Sequence, residues 1–201
     1  AEDVVASANY ALGNIVNRLE EEVDRTRPMV TVVGKKSAKT SFSGTLTSYL
    51  MNSYKGAVLV VSDESEFQTN TKVSIGCNGT TLTHSNHELI LSLIKHTEEP
   101  LSLVEVKNGI VRSPQNNLPN GWKLLYDADQ NIEFEIQNES DVIAGLDDYV
   151  SDNNVKLLCI GKGKYKNFME RMFAKGEMST SVAVINRIRV PVLVMGVSSS
   201  K

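Results

Sequence analysis

Residues 161–180 of this 201-residue chain read GKGKYKNFMERMFAKGEMST. Glycines follow an apolar run, lysines stand between them, and Gly176 with Ser179 and Thr180 leads into a periodic apolar stretch. Those residue types can cradle phosphate. Glycine lets the backbone come close, and N–H groups at a helix start hold the anion. Lys162, Lys164, Lys166, Arg171 and Lys175 would neutralise its charge. The competing reading is a solvated basic loop. As a dinucleotide-binding loop the stretch is poor, because Lys166 stands where the third glycine belongs.

Other groupings are weaker. His84 and His87 open a predicted helix and His96 closes it. A zinc site needs three or more converging ligands, so these read as surface or capping residues. Asp147 and Asp148 are adjacent and diverge on a helix, which excludes a catalytic carboxylate pair. Trp122 follows the turn Leu-Pro-Asn-Gly and reads as core cover. There is no Gly-x-Ser-x-Gly elbow and no Walker loop. Cys77 and Cys159 lie in apolar runs and read as buried thiols of a reducing compartment. The sequons at Asn78 and Asn138 then read as coincidence. No catalytic residue and no metal ligand is expected.

The elements that would position the loop alternate. Val5, Ala8, Leu12, Ile15, Val16, Leu19 and Val23 predict a helix over 3–24. Residues 29–33 (MVTVV) predict a buried strand bounded by Gly34, 43–54 a helix opened by Ser or Thr, and 57–61 (AVLVV) another buried strand. The polar stretch 63–71 has linker composition. Strands follow at 73–77, 101–106, 132–137, 155–160 and 191–195, with helices over 84–96 and after a capping box at Asn138 and Asp141. Residues 107–121 read as a loop. The class is α/β: an open parallel sheet with Rossmann-type layering and helices on both faces. Net charge is −3, which does not point to nucleic acid. No apolar run is long enough to span a bilayer, so no membrane role is expected.

The order helix, strand, Gly-Lys, Ser/Thr-opened helix, apolar strand occurs twice, over 3–61 and over 139–195. VGKKS…SGTLTSYL…AVLVV lines up with IGKGK…KGEMSTSV…PVLVM. Together with the opening strand and helix VSIGCNGTTLTHSNHELILSLIKH, these motifs resemble the universal stress protein family. The resemblance implies a complete five-stranded domain over 72–201, a linker at 63–71, and the C-terminal half of a second such domain over 1–62. The absent opening strands and the missing initial Met suggest a fragment or processed product.

The resemblance also supplies a nucleotide pattern against which to set the loop. Its spacing overlays Gly163, then Lys166 in place of glycine, then Gly176 followed by Glu177 in place of Ser or Thr. Asn78 stands for the acidic residue after the first strand. A carboxylate about 4 Å from a phosphate charge costs roughly 4 kcal/mol at an effective dielectric of about 20. The degenerate site is therefore Asn78, Gly161, Gly163, Lys166, Gly176, Ser179 and Thr180, with no cofactor expected and ATP disfavoured. The expected role is non-enzymatic protein association in the stress response, in the cytoplasm. Two alternatives stand beside it: an ATP-switched assembly, and a regulatory domain of a longer transporter or signalling protein. The apolar terminal strands 57–61 and 191–195 are expected to pair, in a homodimer or internal pseudo-dimer.

Overall fold

The computed structural model describes residues 5–35, 42–63, 65, 72–76, 84–95, 99–107, 132–162 and 180–196. Among them, five helices and seven strands follow the order α1 (Ile15–Thr26), β1 (Val30–Lys35), α2 (Thr45–Asn52), β2 (Ala57–Ser62), β3 (Val73–Gly76), α3 (His84–Ile94), β4 (Leu101–Lys107), β5 (Ile132–Asn138), α4 (Val142–Asp152), β6 (Leu157–Gly161), α5 (Thr180–Arg187) and β7 (Val192–Met195). The strands form one sheet in the order β1-β2-β7-β6-β3-β4-β5. Strands β5, β4, β3, β6 and β7 are mutually parallel, as expected of an open parallel sheet. β1 and β2 are parallel to each other, and β2 runs antiparallel to β7.

The sheet carries a core on each face because its central strands are apolar on both sides. On one face Leu89 and Ile90 of α3 pack with Ile75, Leu103, Cys159 and Leu193. On the other, α2, α4 and α5 bring Leu50, Leu146, Tyr149, Val184 and Ile185 onto Val58, Val104, Leu158, Val192 and Val194. Helix α4 lies so close to β4 that a Cβ on Gly145 would sit 2.6 Å from Val106 Cγ1.

Several local expectations are corrected. The first helix begins at Ile15, not at residue 3. Gly13 takes φ +124°, and the Asn14 side chain caps the helix by accepting the Val16 and Asn17 N–H groups. Val5 and Leu12, counted in its apolar periodicity, are exposed. Strand β1 continues through Gly34 to Lys35, and it is not a buried strand: Val32 is 61% exposed, and among the described residues β1 is the end strand of the sheet. Helix α2 starts after Gly44 (φ +104°) with no side-chain cap. The cap of α4 is Asp141 itself, accepting from Ile143 and Ala144, rather than a box with Asn138. The loop reading for 107–121 falls outside the described residues, apart from Lys107, which ends β4.

Candidate functional site

In a doubly wound sheet, ligands bind beyond the C-terminal ends of the strands where the strand order reverses. Here that point lies between β3 and β6. They are adjacent and parallel, with Gly76 opposite Ile160. From β3 the chain goes on to β4 on one side, and from β6 to β7 on the other. Gly161 ends β6 at this point, and α5 begins beside it. The Ser181 hydroxyl, buried in the first turn of α5, is 3.4 Å from the Gly161 carbonyl oxygen to which it donates. Two of the expected site residues, Gly161 and Thr180, are thus brought to the same crevice. Asn78, Gly163, Lys166, Gly176 and Ser179 lie outside the described residues, as do Cys77, His96 and Trp122.

The crevice differs from the expectation at its first cation. Lys162 is neither a phosphate ligand nor a solvated loop residue: it is 7% exposed. Its ammonium turns away along the sheet and donates to the carbonyl oxygens of Tyr54 and Gly56, the latter at 3.3 Å. It also lies 5.1 Å from the centroid of the Tyr54 ring. Burial pushes its pKa down to about 8. The group therefore still carries its charge at neutral pH, where the ring face and the two carbonyls compensate it. These carbonyls follow the C-terminal end of α2, where the negative end of the helix dipole favours a cation.

Lys35, which ends β1 as Lys162 follows β6, is 8% exposed. Its ammonium donates to the carbonyls of Ile185 (2.8 Å) and Ile188 (3.4 Å) at the end of α5. Nearby, the Phe42 N–H donates to the Asn186 side chain. Sequence reasoning missed the burial of both lysines. The available signal was the recurrence of Gly-Lys after each of two apolar strands.

Strands β2 and β7 pair with Val58 opposite Val194, Leu59 opposite Leu193 and Val60 opposite Val192. At the end of this contact Gly196 comes so close to the other strand's approach that a Cβ on it would lie 2.0 Å from the Lys55 carbonyl oxygen. The Gly196 carbonyl accepts from the Asn86 side chain at 3.0 Å, tying α3 to the same corner.

Other polar groups join elements of the fold. Asp147 accepts from Arg187 Nε at 2.7 Å and joins α4 to α5. Tyr149, whose phenol pKa is raised mainly by burial, donates to Glu135 at 2.6 Å with Lys72 alongside. The Cys159 thiol is buried in the sheet, and its pKa is pushed up to about 12 by loss of solvent. No group of three or more metal-ligating side chains occurs among the described residues. None of the helices they form is long and apolar enough to cross a membrane.

An open α/β sheet with this parallel order, helices on both faces and the crevice at β3 and β6 defines a Rossmann-type layered protein. Among solved structures, the chain is similar to a universal stress protein from Archaeoglobus fulgidus, with a TM-score of 0.59 and 14% identity over 91% of this chain and 66% of that one. It is also similar to a functionally unknown protein from Pseudomonas aeruginosa, with a TM-score of 0.55 and 10% identity over 92% of this chain and 68% of that one. The chain thus spans about two thirds of the length of these relatives. No protein-family model and no curated protein matches the sequence. The chain has the universal stress protein fold.

Proposed function

We propose that this chain is a non-enzymatic universal-stress-protein-like module that acts in the cytoplasmic stress response through protein association. In this reading, residues 1–62 are the C-terminal half of a second domain, 63–71 are the linker, and 72–201 are the complete domain. The observation that carries it is the antiparallel contact of β2 with β7. Aligning AVLVV with PVLVM makes Leu59 and Leu193 equivalent, and Val58 and Val60 equivalent to Val192 and Val194. The observed register sets Leu59 against its own equivalent and exchanges the flanking valines. That is the pattern of a twofold contact, in which the same patch meets itself. A pseudo-dimer within one chain follows, and its outer surfaces serve partners.

A nucleotide-switched assembly is the second reading. It is favoured by the position of Gly161 and the start of α5 at the point where the sheet order reverses. Weighing against it are Lys162, whose ammonium is engaged elsewhere, and the Lys166, Glu177 and Asn78 departures from the nucleotide pattern. Isothermal titration with Mg-ATP at physiological salt separates the two. The association reading expects nothing tighter than about millimolar, equivalent to about −4 kcal/mol. A micromolar constant overturns it in favour of the switch.

A further inference from the structure

The contact between the two terminal strands has a problem that apolar packing does not solve. Both strands alternate Val and Leu with no charge. Sliding one against the other by two residues keeps every side chain on its own face, so the hydrophobic pattern alone specifies the register weakly. Something else must select Leu59 opposite Leu193.

The two buried lysines do so by reaching across. Lys162, from the β6–β7 side, is bonded to the carbonyls that follow α2. Lys35, from the β1–β2 side, is bonded to the carbonyls that end α5. The alignment that equates Lys35 with Lys162 and Leu59 with Leu193 also equates Tyr54 with Ile188. Tyr54 O is an acceptor for Lys162, and Ile188 O is an acceptor for Lys35. These two bonds correspond in opposite directions, while the second acceptors, Gly56 O for Lys162 and Ile185 O for Lys35, differ between the two sites. A two-residue slip moves each acceptor by about 6.8 Å along the strand direction. That is beyond the reach of an ammonium already extended into a buried position, and it leaves both a buried cation and buried carbonyls without partners.

We infer that Lys35 and Lys162 are reciprocal clamps that set the register of β2 against β7. Lysine suits the task because its compact ammonium fits between carbonyl oxygens, where the flat guanidinium fork of arginine does not. The clamp at Lys162 also withdraws the first cation of the Gly-Lys loop from anion binding. The inference uses the two-copy reading only to equate the lysines; the hydrogen bonds stand without it.

The test is amide hydrogen exchange by NMR on the full chain and on its Lys162→Met and Lys35→Met variants. Methionine keeps the length of the stem and removes the donor. Either variant is expected to lose at least about tenfold protection at amides in 58–60 and 192–194, equivalent to about 1.4 kcal/mol. Amides in 101–107, on the far side of the sheet, are expected to keep theirs. Unchanged protection at the β2–β7 contact, or an equal loss across 101–107, overturns the inference. Should neither variant fold, the parent protein decides the matter through its lysine ammonium resonances. Two slowly exchanging, carbonyl-bonded signals support the clamps, and rapid exchange at all lysines refutes them. Micromolar ATP binding would defeat the association reading and leave these exchange patterns unaltered, so the two failures are distinguishable.

Discussion

Gly196→Ala is the sharpest single perturbation of the contact between the terminal strands. The added Cβ would lie 2.0 Å from the Lys55 carbonyl oxygen, 3.0 Å from Lys55 C and 3.1 Å from Gly56 C. All three atoms are backbone, so no rotamer change relieves the clash. A carbon and an oxygen settle at about 3.3 Å or more, which requires the two backbones to part by roughly 1.3 Å. The Gly56 carbonyl that accepts from Lys162 sits on the segment that must move. Overpacking of this kind costs about 1–3 kcal/mol, and loosening one buried hydrogen bond adds about 1–3 kcal/mol. A total near 3 kcal/mol lowers the melting temperature of a chain this size by roughly 6–12 °C. Gly34→Ala is the matched control. Gly34 lies inside the end strand β1, away from the β2–β7 contact, and among the described residues nothing lies within 4 Å of its Cβ position. That variant is expected within about 0.5 kcal/mol of the parent. Urea and thermal unfolding followed by far-UV circular dichroism measure both. A Gly196→Ala protein as stable as the parent, or a Gly34→Ala protein equally damaged, would refute the close approach on which the reasoning depends.

Two further outcomes are expected. Val60 and Val194, 2% and 0% exposed, face the same core, so Val60→Lys and Val194→Lys each bury a cation at a cost of several kcal/mol. Urea midpoints equal to the parent's would remove the contact from the folded state. Cys159 is expected to resist Ellman's reagent at pH 8 until the protein unfolds, because its thiol stays protonated up to about pH 12. Its raised folded pKa stabilises the native state fully below the unfolded value of about 8.5 and loses that contribution as pH rises toward 12. Rapid labelling of the native protein would show that the strand is open.

Much of the architecture was legible because it rests on local rules. Alternating apolar runs and helical periodicity placed β3 to β7 and their helices, and strands apolar on both faces required a sheet covered on both sides. The start of α1 was legible too, in Gly13 and Asn14, but an extended apolar periodicity outweighed that cap signal. The exposure of β1 was not legible in MVTVV itself; the absent neighbour strands were the cue. MVTVV reads alike at an edge and in the interior, and only the sheet order leaves one side of it without a neighbour.

The lysines mark the boundary most clearly. The sequence by itself determined that a Gly-Lys pair follows two apolar strands, and that Lys166 and Glu177 break the nucleotide pattern. It also determined that the terminal strands are apolar and uncharged, hence in need of cover. A lysine beside glycines in a basic loop nonetheless reads as solvated or phosphate-bound, since nothing within a few residues of it offers an alternative partner. Its actual acceptors are more than one hundred residues away in the chain, |i−j| = 108 for Lys162 with Tyr54 and 153 for Lys35 with Ile188. Only the antiparallel meeting of β2 and β7 brings each helix end to the opposite lysine. The tertiary structure decided their fate because a buried ammonium persists only where unpaired carbonyls converge on it, and that convergence is a property of the pairing, not of either segment.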